Sequence, residues 1–414
     1  MKKLRKQAGK KKARTAAHGI DVRQFVLDWI IGAGLQALEH SFEDSVLEVC
    51  GSRYQRRSCE APRRWGRQPG ELVLGGRRVR VMRPRVRQGG REVIIPAYQA
   101  FQNEDPLHER ALEQMLVGVS TRKYGRSLEA MAGLPVSGTS KSAVSRRFVA
   151  ATARQVQALL AKPLHGKQWT ALMLDGLRFG QHVILVALGI DADGYKHLLG
   201  LWEGATENAA VCRSLLSDLV DRGLPADRHL LVVMDGAKAL RKTVDEVFAR
   251  NALVQRCQVH KQRNVLDHLP EHKQAQVRSA LRHAYRAESY AAANEQLQQL
   301  GQSLSKTHPG AAASLKEGLE ETLTVKRLGL DGFLERSLAT TNPIENLNGV
   351  ARTITRRVKR CADGQTALRW VCAAMLDASH HFKRLKGHGQ ISKLIVALHD
   401  LDTQDRMTTM RKAG

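Results

Sequence analysis

Aromatic side chains are scarce in this sequence, at 5% of residues, so a surface for stacking on single-strand bases is not its main device. Long apolar runs are missing too. None approaches the roughly 20 residues of a bilayer-spanning helix, and no amphipathic membrane anchor stands out. The first residues, MKKLRKQAGKKKARTAA, are basic but hold no apolar stretch, which argues against a secretory signal. The six cysteines (Cys50, Cys59, Cys212, Cys257, Cys361 and Cys372) form no CxxC pair. A disulfide framework is therefore not expected, a structural zinc site has little support, and a reducing cytoplasm is the expected setting. Fixed-period repeats and long low-complexity linkers are also absent.

Acids are outnumbered, 40 against 66 lysines and arginines, which leaves a net charge of +26. So large a charge repels itself and calls for a polyanionic partner, nucleic acid first. Hydrophobic residues make up 43% of 414 positions, enough for a globular chain of two or three domains.

Periodicity divides the chain. Residues 1–17 are a basic arm. Residues 18–105 read as an N-terminal DNA-binding region: helical spacing over 22–50, then ELVLGGRRVRVMRPRVR, which alternates valine and arginine. Gly75 and Gly76 fit its hairpin turn. Arg78, Arg80, Arg85 and Arg87 are candidates for DNA phosphate contact; alternatively they are a solvated edge that blocks strand addition. Residues 106–165 resemble a helix-turn-helix. Ser140 could cap its second helix, with Val144 and Phe148 inward and Ser142, Ser145, Arg146 and Arg147 free to enter a major groove. A generic helical hairpin would give the same pattern.

Residues 166–260 change character. TALMLDGLRF, HVILVALGIDADG and YKHLLGLWEG read as three neighbouring strands. An amphipathic helix ending at Gly223, a strand in HLLVVMDGAKAL, a helix start and a strand in LVQRCQVH follow. The order predicts a mixed sheet with helices packed on it. Residues 261–335 read as helices, residues 336–390 as one more long helix after ATTNPIENLNG, and residues 391–414 as a tail. In that motif Asn342 is expected at the N-cap, Pro343 at the first helical position and Glu345 in the first turn.

Asp175 (LMLDG) and Asp235 (VVMDG) each end an apolar run. Singly, each could be a turn residue, and Asp235 could cap the next helix. If the first and fourth strands are neighbours, about 4.8 Å apart, both carboxylates face one point. Close like charges need a cation or a proton, and all-oxygen ligation suits Mg²⁺. Glu345 would complete the set. Asp191, Asp193, Glu203 and Glu207 compete for membership.

LMLDGLRF, VVMDGAKAL, CQVHKQRNV and TTNPIENLNG, in that order, resemble the Mutator-type transposases of bacterial insertion sequences. The resemblance runs from about residue 105 to 385. It implies an α/β, ribonuclease H-like core split by an all-helical insertion (residues 261–335), with Asp175, Asp235 and Glu345 as catalytic, metal-binding acids. Two Mg²⁺ ions, with Mn²⁺ as substitute, are the implied cofactors. Cys257 and His260 match the family's C-x2-H motif and Asn348 its continuation; all three are expected near the active site. Trp202 reads as a core residue or a base-stacking one. Arg352, Arg356, Arg357, Lys359 and Arg360 form a cationic strip for DNA, in part merely solvated. The implied activity is binding of terminal inverted repeats in double-stranded DNA, then metal-dependent strand cleavage and transfer through an excised circle. A homodimer or larger assembly on DNA is expected, associated with the bacterial nucleoid and with no membrane partner. A nuclease or resolvase, or an inactive DNA-binding regulator, are the alternatives.

Overall fold

A computed structural model of the chain describes residues 22–55, 58, 60–74, 77–103, 108–128, 136–204, 209–358, 361 and 363–413. They group into two compact units. One holds residues up to 115 and 119–147, the other 116–118 and 148–414. The basic arm of residues 1–17, and the expected turn at Gly75 and Gly76, lie outside the described residues.

In the first unit, helix α1 (Val22–Cys50) is followed by strands β1 (Arg63–Leu74), β2 (Arg77–Gln88) and β3 (Arg91–Val93) and helices α2 (Pro96–Asn103), α3 (His108–Leu116) and α4 (Tyr124–Ser127). Strand β4 (Val136–Ser137) precedes the long helix α5 (Lys141–Ala161). Leu38, Phe42, Val46 and Cys50 recur every fourth residue along α1 and pack on Leu72, Val79 and Val86 of the sheet. Pro84 sits inside β2, between the stretches that pair with β4 and β3, opposite a register shift in β1 between Arg64 and Arg67. A missing N–H is tolerated there.

Most of the first helix expected for the helix-turn-helix lies outside the described residues, which break off after residue 128 and resume at residue 136. α4 ends at Ser127, where Leu128 is extended. Val136 and Ser137 then pair with Val79 and Arg78 of β2, so a strand, not a turn alone, leads into α5. α5 itself follows expectation. Ser140 Oγ accepts from the Ala143 N–H at 3.3 Å, Val144 and Phe148 are buried, and Ser142, Ser145 and Arg146 are exposed.

In the second unit, strands β5 (Trp169–Phe179), β6 (His182–Asp191) and β7 (Lys196–Gly204) form an antiparallel meander. After α6 (Ala209–Asp221) come β8 (Leu230–Met234), α7 (Lys238–Phe248) and β9 (Ala252–Arg256). The sheet order is β7-β6-β5-β8-β9, with β5, β8 and β9 parallel. The two-residue period sorts β5 by face. Leu172 and Leu174 pack with Leu215 and Leu219 of α6 and Leu240 of α7. Ala171, Met173 and Leu177 pack with the C-terminal helices.

Those helices are α8 (Gln258–Asp267), α9 (Glu271–Tyr285), α10 (Tyr290–Thr307), α11 (Pro309–Lys316), α12 (Thr324–Arg327), α13 (Gly332–Leu338), α14 (Asn342–Thr355), α15 (Gly364–Ser379) and α16 (Ile391–Ala413). α8 to α11 close over a core of their own, with Val265, Leu281, Leu297 and Leu315. Two expectations change. The single helix after ATTNPIENLNG is two, since residues 356–358 leave the helix and Asp363 caps α15 by accepting from the Thr366 N–H at 2.6 Å. The tail is a helix, α16, because Leu394 and Leu398 are buried in the sheet core and Asp402 accepts from the His229 N–H at 2.8 Å. No described helix is long and apolar enough to cross a membrane.

Candidate active site

The parallel pairing of β5 and β8 matches Ala171 with Leu231 and Met173 with Val233. That offset (231 − 171 = 60) equals the spacing of Asp175 and Asp235 (235 − 175 = 60). Continued by two residues, the register sets Asp175 level with Asp235, just past the end of β8. Both have the odd parity of Met173 and Val233, whose side chains face the core of the C-terminal helices. Asp175 is 9% exposed. Asp235 is half-buried, and its Oδ1 accepts from the Ala237 N–H at 3.0 Å. It therefore shapes the turn, while Ala237 holds the N-cap position of α7 without a side-chain cap.

α14 reaches this edge through Ile344, Leu347 and Ala351, which are buried on the same face of the sheet. Asn348 is completely buried, and its amide donates to Asp175 Oδ2 at 2.7 Å. Glu345 lies one turn earlier on the same helix face. The expected cap is displaced by one residue. Thr341 takes the N-cap position and Asn342 the first helical one. The Glu345 N–H donates to Thr341 O at 2.8 Å, and the Thr341 hydroxyl stands 2.7 Å from Glu345 Oε1. Thr341 belongs to the quoted motif, yet sequence reasoning gave it no role. Its fourth-residue spacing from Glu345 was the available signal.

Cys257 and His260 complete the wall. The Cys257 N–H donates to Met234 O at 2.8 Å, which ties the start of α8 to the end of β8. Cys257 Sγ lies 3.2 Å from the Thr341 hydroxyl, and His260 Nδ1 lies 3.8 Å from Glu345 Oε1. The two motif halves, 84 residues apart, thus meet at one threonine.

The charges interact. Burial, then Asp235 and Glu345, push the Asp175 carboxyl up to about 6, against the pull of His260 and Asn348. His260 is raised to about 9, first by its hydrogen bond to Cys257 and then by the nearby acids, while burial opposes. Burial raises the Cys257 thiol, but hydrogen bonds from His260 and Thr341 outweigh it and leave it below the ordinary value. Asn348 Oδ1 is buried without a hydrogen-bond partner. Asp175 is thus charged against two nearby acids, and oxygen donors of this kind, with the unmatched amide oxygen of Asn348 beside them, are the chemistry that a hard divalent cation takes.

Other acids stand apart. Asp191 ends β6 opposite Trp169, at the far end of β5, and its Oδ2 lies 2.7 Å from His197 Nε2. The backbone N–H of Asp193 donates to Asp191 Oδ1, so these two acids form a turn. Glu203 Oε1 is 2.6 Å from His182 Nδ1; Glu207 lies outside the described residues. Trp202 packs on the core of α6 and α7, as a core tryptophan would.

Among the arginines, Arg78 and Arg80 approach Glu71 at 3.5 and 3.9 Å, Arg85 approaches Glu92 at 3.2 Å, and Arg87 lies over the Trp65 ring. Arg147 is half-buried. Arg352, Arg356 and Arg357 are exposed around the end of α14, while Lys359 and Arg360 lie outside the described residues.

Comparison with known proteins identifies the family. A family model described as transposase, Mutator family, matches residues 10–385. The transposase for insertion sequence element IS6120 of Mycolicibacterium smegmatis is 30% identical over 250 residues, 59% of this chain and 75% of that protein. The transposase for insertion sequence element IS905 of Lactococcus lactis is 28% identical over 329 residues, 77% and 80% of the two chains. The transposase for insertion sequence element IS1081 of Mycobacterium tuberculosis is 26% identical over 399 residues, 90% and 91%.

Proposed function

The chain belongs to the Mutator family of transposases, and from that premise we propose that it binds the terminal inverted repeats of an insertion sequence and performs Mg²⁺-dependent strand cleavage and strand transfer. One observation carries the reading: Asp175, level with Asp235 across adjacent parallel strands, is gripped by Asn348 one turn beyond Glu345. The sheet order, with its meander followed by two parallel strands, supports a ribonuclease H-like core. The separate hydrophobic core of α8 to α11 supports a helical insertion before the last acid.

In this reading Asp175, Asp235 and Glu345 would hold two Mg²⁺ ions, or Mn²⁺ in their place. The chemistry such a pair supplies when bound is charge neutralisation at the phosphodiester and a more acidic water or 3′ hydroxyl. The chain does the positioning. Asn348 fixes one oxygen of Asp175, and Thr341 fixes one of Glu345. The buried wall of β5 and α14 lowers the local dielectric, so charges there act more strongly than in water. Ser142, Ser145, Arg146 and Arg147, the arginines of β2 and those after α14 would bind DNA. Cutting and joining paired ends requires at least two protomers. The setting would be the bacterial cytoplasm, on the nucleoid.

A Mg²⁺-dependent assay on labelled element ends tests the proposal. Cleavage with joining supports it. Cleavage without joining makes the protein a nuclease or resolvase, and binding alone makes it a regulator.

A further inference from the structure

Thr341 Oγ1 lies 3.2 Å from Cys257 Sγ, 3.4 Å from His260 Nδ1 and 2.7 Å from Glu345 Oε1. One hydroxyl group therefore stands within hydrogen-bonding reach of three atoms of different chemistry. Ligand atoms of these three residues all lie within 4.8 Å of one another. An ion with bonds of 2.0–2.3 Å to sulfur, nitrogen and oxygen in a tetrahedron separates its ligands by about 3.5 Å. The His260–Glu345 edge, at 3.8 Å, is already near that value, and small rotations would close the rest. Each ligand comes from an anchored frame. Cys257 and His260 stand three residues apart at the start of α8, pinned to β8 through Met234 O, and Glu345 is in the first turn of α14.

We propose that Cys257, His260 and Glu345 form a second metal site, for a borderline-soft divalent ion of the zinc class, with its fourth position open to water. A sulfur, an imidazole nitrogen and a single carboxylate select such an ion over Mg²⁺, which demands oxygen ligands. This is a different ion from the pair assigned to the three acids. It shares only Glu345 with them, and that sharing alone rests on the function proposed above. An ion held here would draw Glu345 toward α8, so the two sites compete for one carboxylate.

Titration of the full chain with Co²⁺, followed by absorption, tests the site without DNA or turnover. One equivalent of Co²⁺ is expected to produce thiolate-to-cobalt charge transfer with tetrahedral ligand-field bands, and Zn²⁺ should abolish both. Cys257→Ser should remove the charge transfer. His260→Asn and Glu345→Gln keep the thiol and should weaken Co²⁺ binding at least about tenfold, as loss of a ligand exceeds loss of an outer contact. Circular dichroism identifies folded variants. Absence of the charge-transfer band in the wild-type chain, or its survival in folded Cys257→Ser, overturns the site. Unchanged Co²⁺ affinity in Glu345→Gln overturns the shared carboxylate. Failure of end cleavage, by contrast, bears only on the proposed function.

Discussion

The two ends of one sheet treat an aspartate in opposite ways. At one end, Asp191 is 4% exposed and surrounded by donors: the His197 ring and the backbone N–H groups of Tyr195 and Asp193. Burial raises its carboxyl, but those hydrogen bonds outweigh it and hold the group below the ordinary range. At the other end, Asp175 is 9% exposed, with one amide donor and two acids for company, and is held up to about 6. Both acids follow an apolar strand run, so sequence pattern does not separate them. The first is satisfied by the chain and staples a turn. The second keeps burial and like charge largely uncompensated, the condition found at working sites.

The largest test of that contrast is chemical. Asp175→Asn and Asp235→Asn should each lower cleavage of labelled ends by about 10³-fold or more, the loss of several kcal/mol of charge stabilisation. Gel-shift affinity for the same ends should stay within about twofold, since binding rests on other surfaces. Parallel loss of both would break the assignment.

A pH experiment probes the same asymmetry as stability. The folded Asp175 keeps its proton up to about 6, above the 3.8 of an unperturbed carboxyl. Its neutral form therefore contributes fully below about pH 4, and the contribution is lost as pH rises through 6. The gap corresponds to at most about 3 kcal/mol. In metal-free protein, Asp175→Asn should raise the urea midpoint at pH 8, with a gain that shrinks toward pH 4. A gain independent of pH would mean that the carboxylate charge is not the cost.

Asp191→Asn should do the reverse. It should destabilise the chain by about 1.5–3 kcal/mol, the range for hydrogen bonds to a charged group, while cleavage stays within about twofold. A large loss of cleavage in folded protein would erase the difference between the two ends. The smallest effect lies outside this sheet: Arg146→Ala should reduce the slope of log affinity against log salt by about one and leave the acids' chemistry unchanged. An unaltered slope would remove Arg146 from the DNA surface.

Periodic features were legible before the fold. Apolar runs foretold β5 to β9, and the spacing of Val144 and Phe148 foretold the buried face of α5. Cooperative features were less so. The short strand before α5 depends on Val136 pairing with Val79, a contact 57 residues away (136 − 79). α16 passed as a tail because its anchors, Leu394, Leu398 and Asp402, show their worth only against the sheet core and His229. Thr341 was read past because its role needs Cys257 and Glu345 in place.

Local chemistry determined, from sequence alone, the apolar runs that lead to Asp175 and Asp235, the proline-led start of α14, the basic balance and the family resemblance. Backbone geometry and side-chain period are short-range, so they are written residue by residue. Tertiary structure alone decided that Asn348 reaches Asp175, that one hydroxyl joins Cys257, His260 and Glu345, and that Asp191 is satisfied while Asp175 is not. Those outcomes depend on which donors arrive beside a buried charge, and packing between distant segments sets that supply.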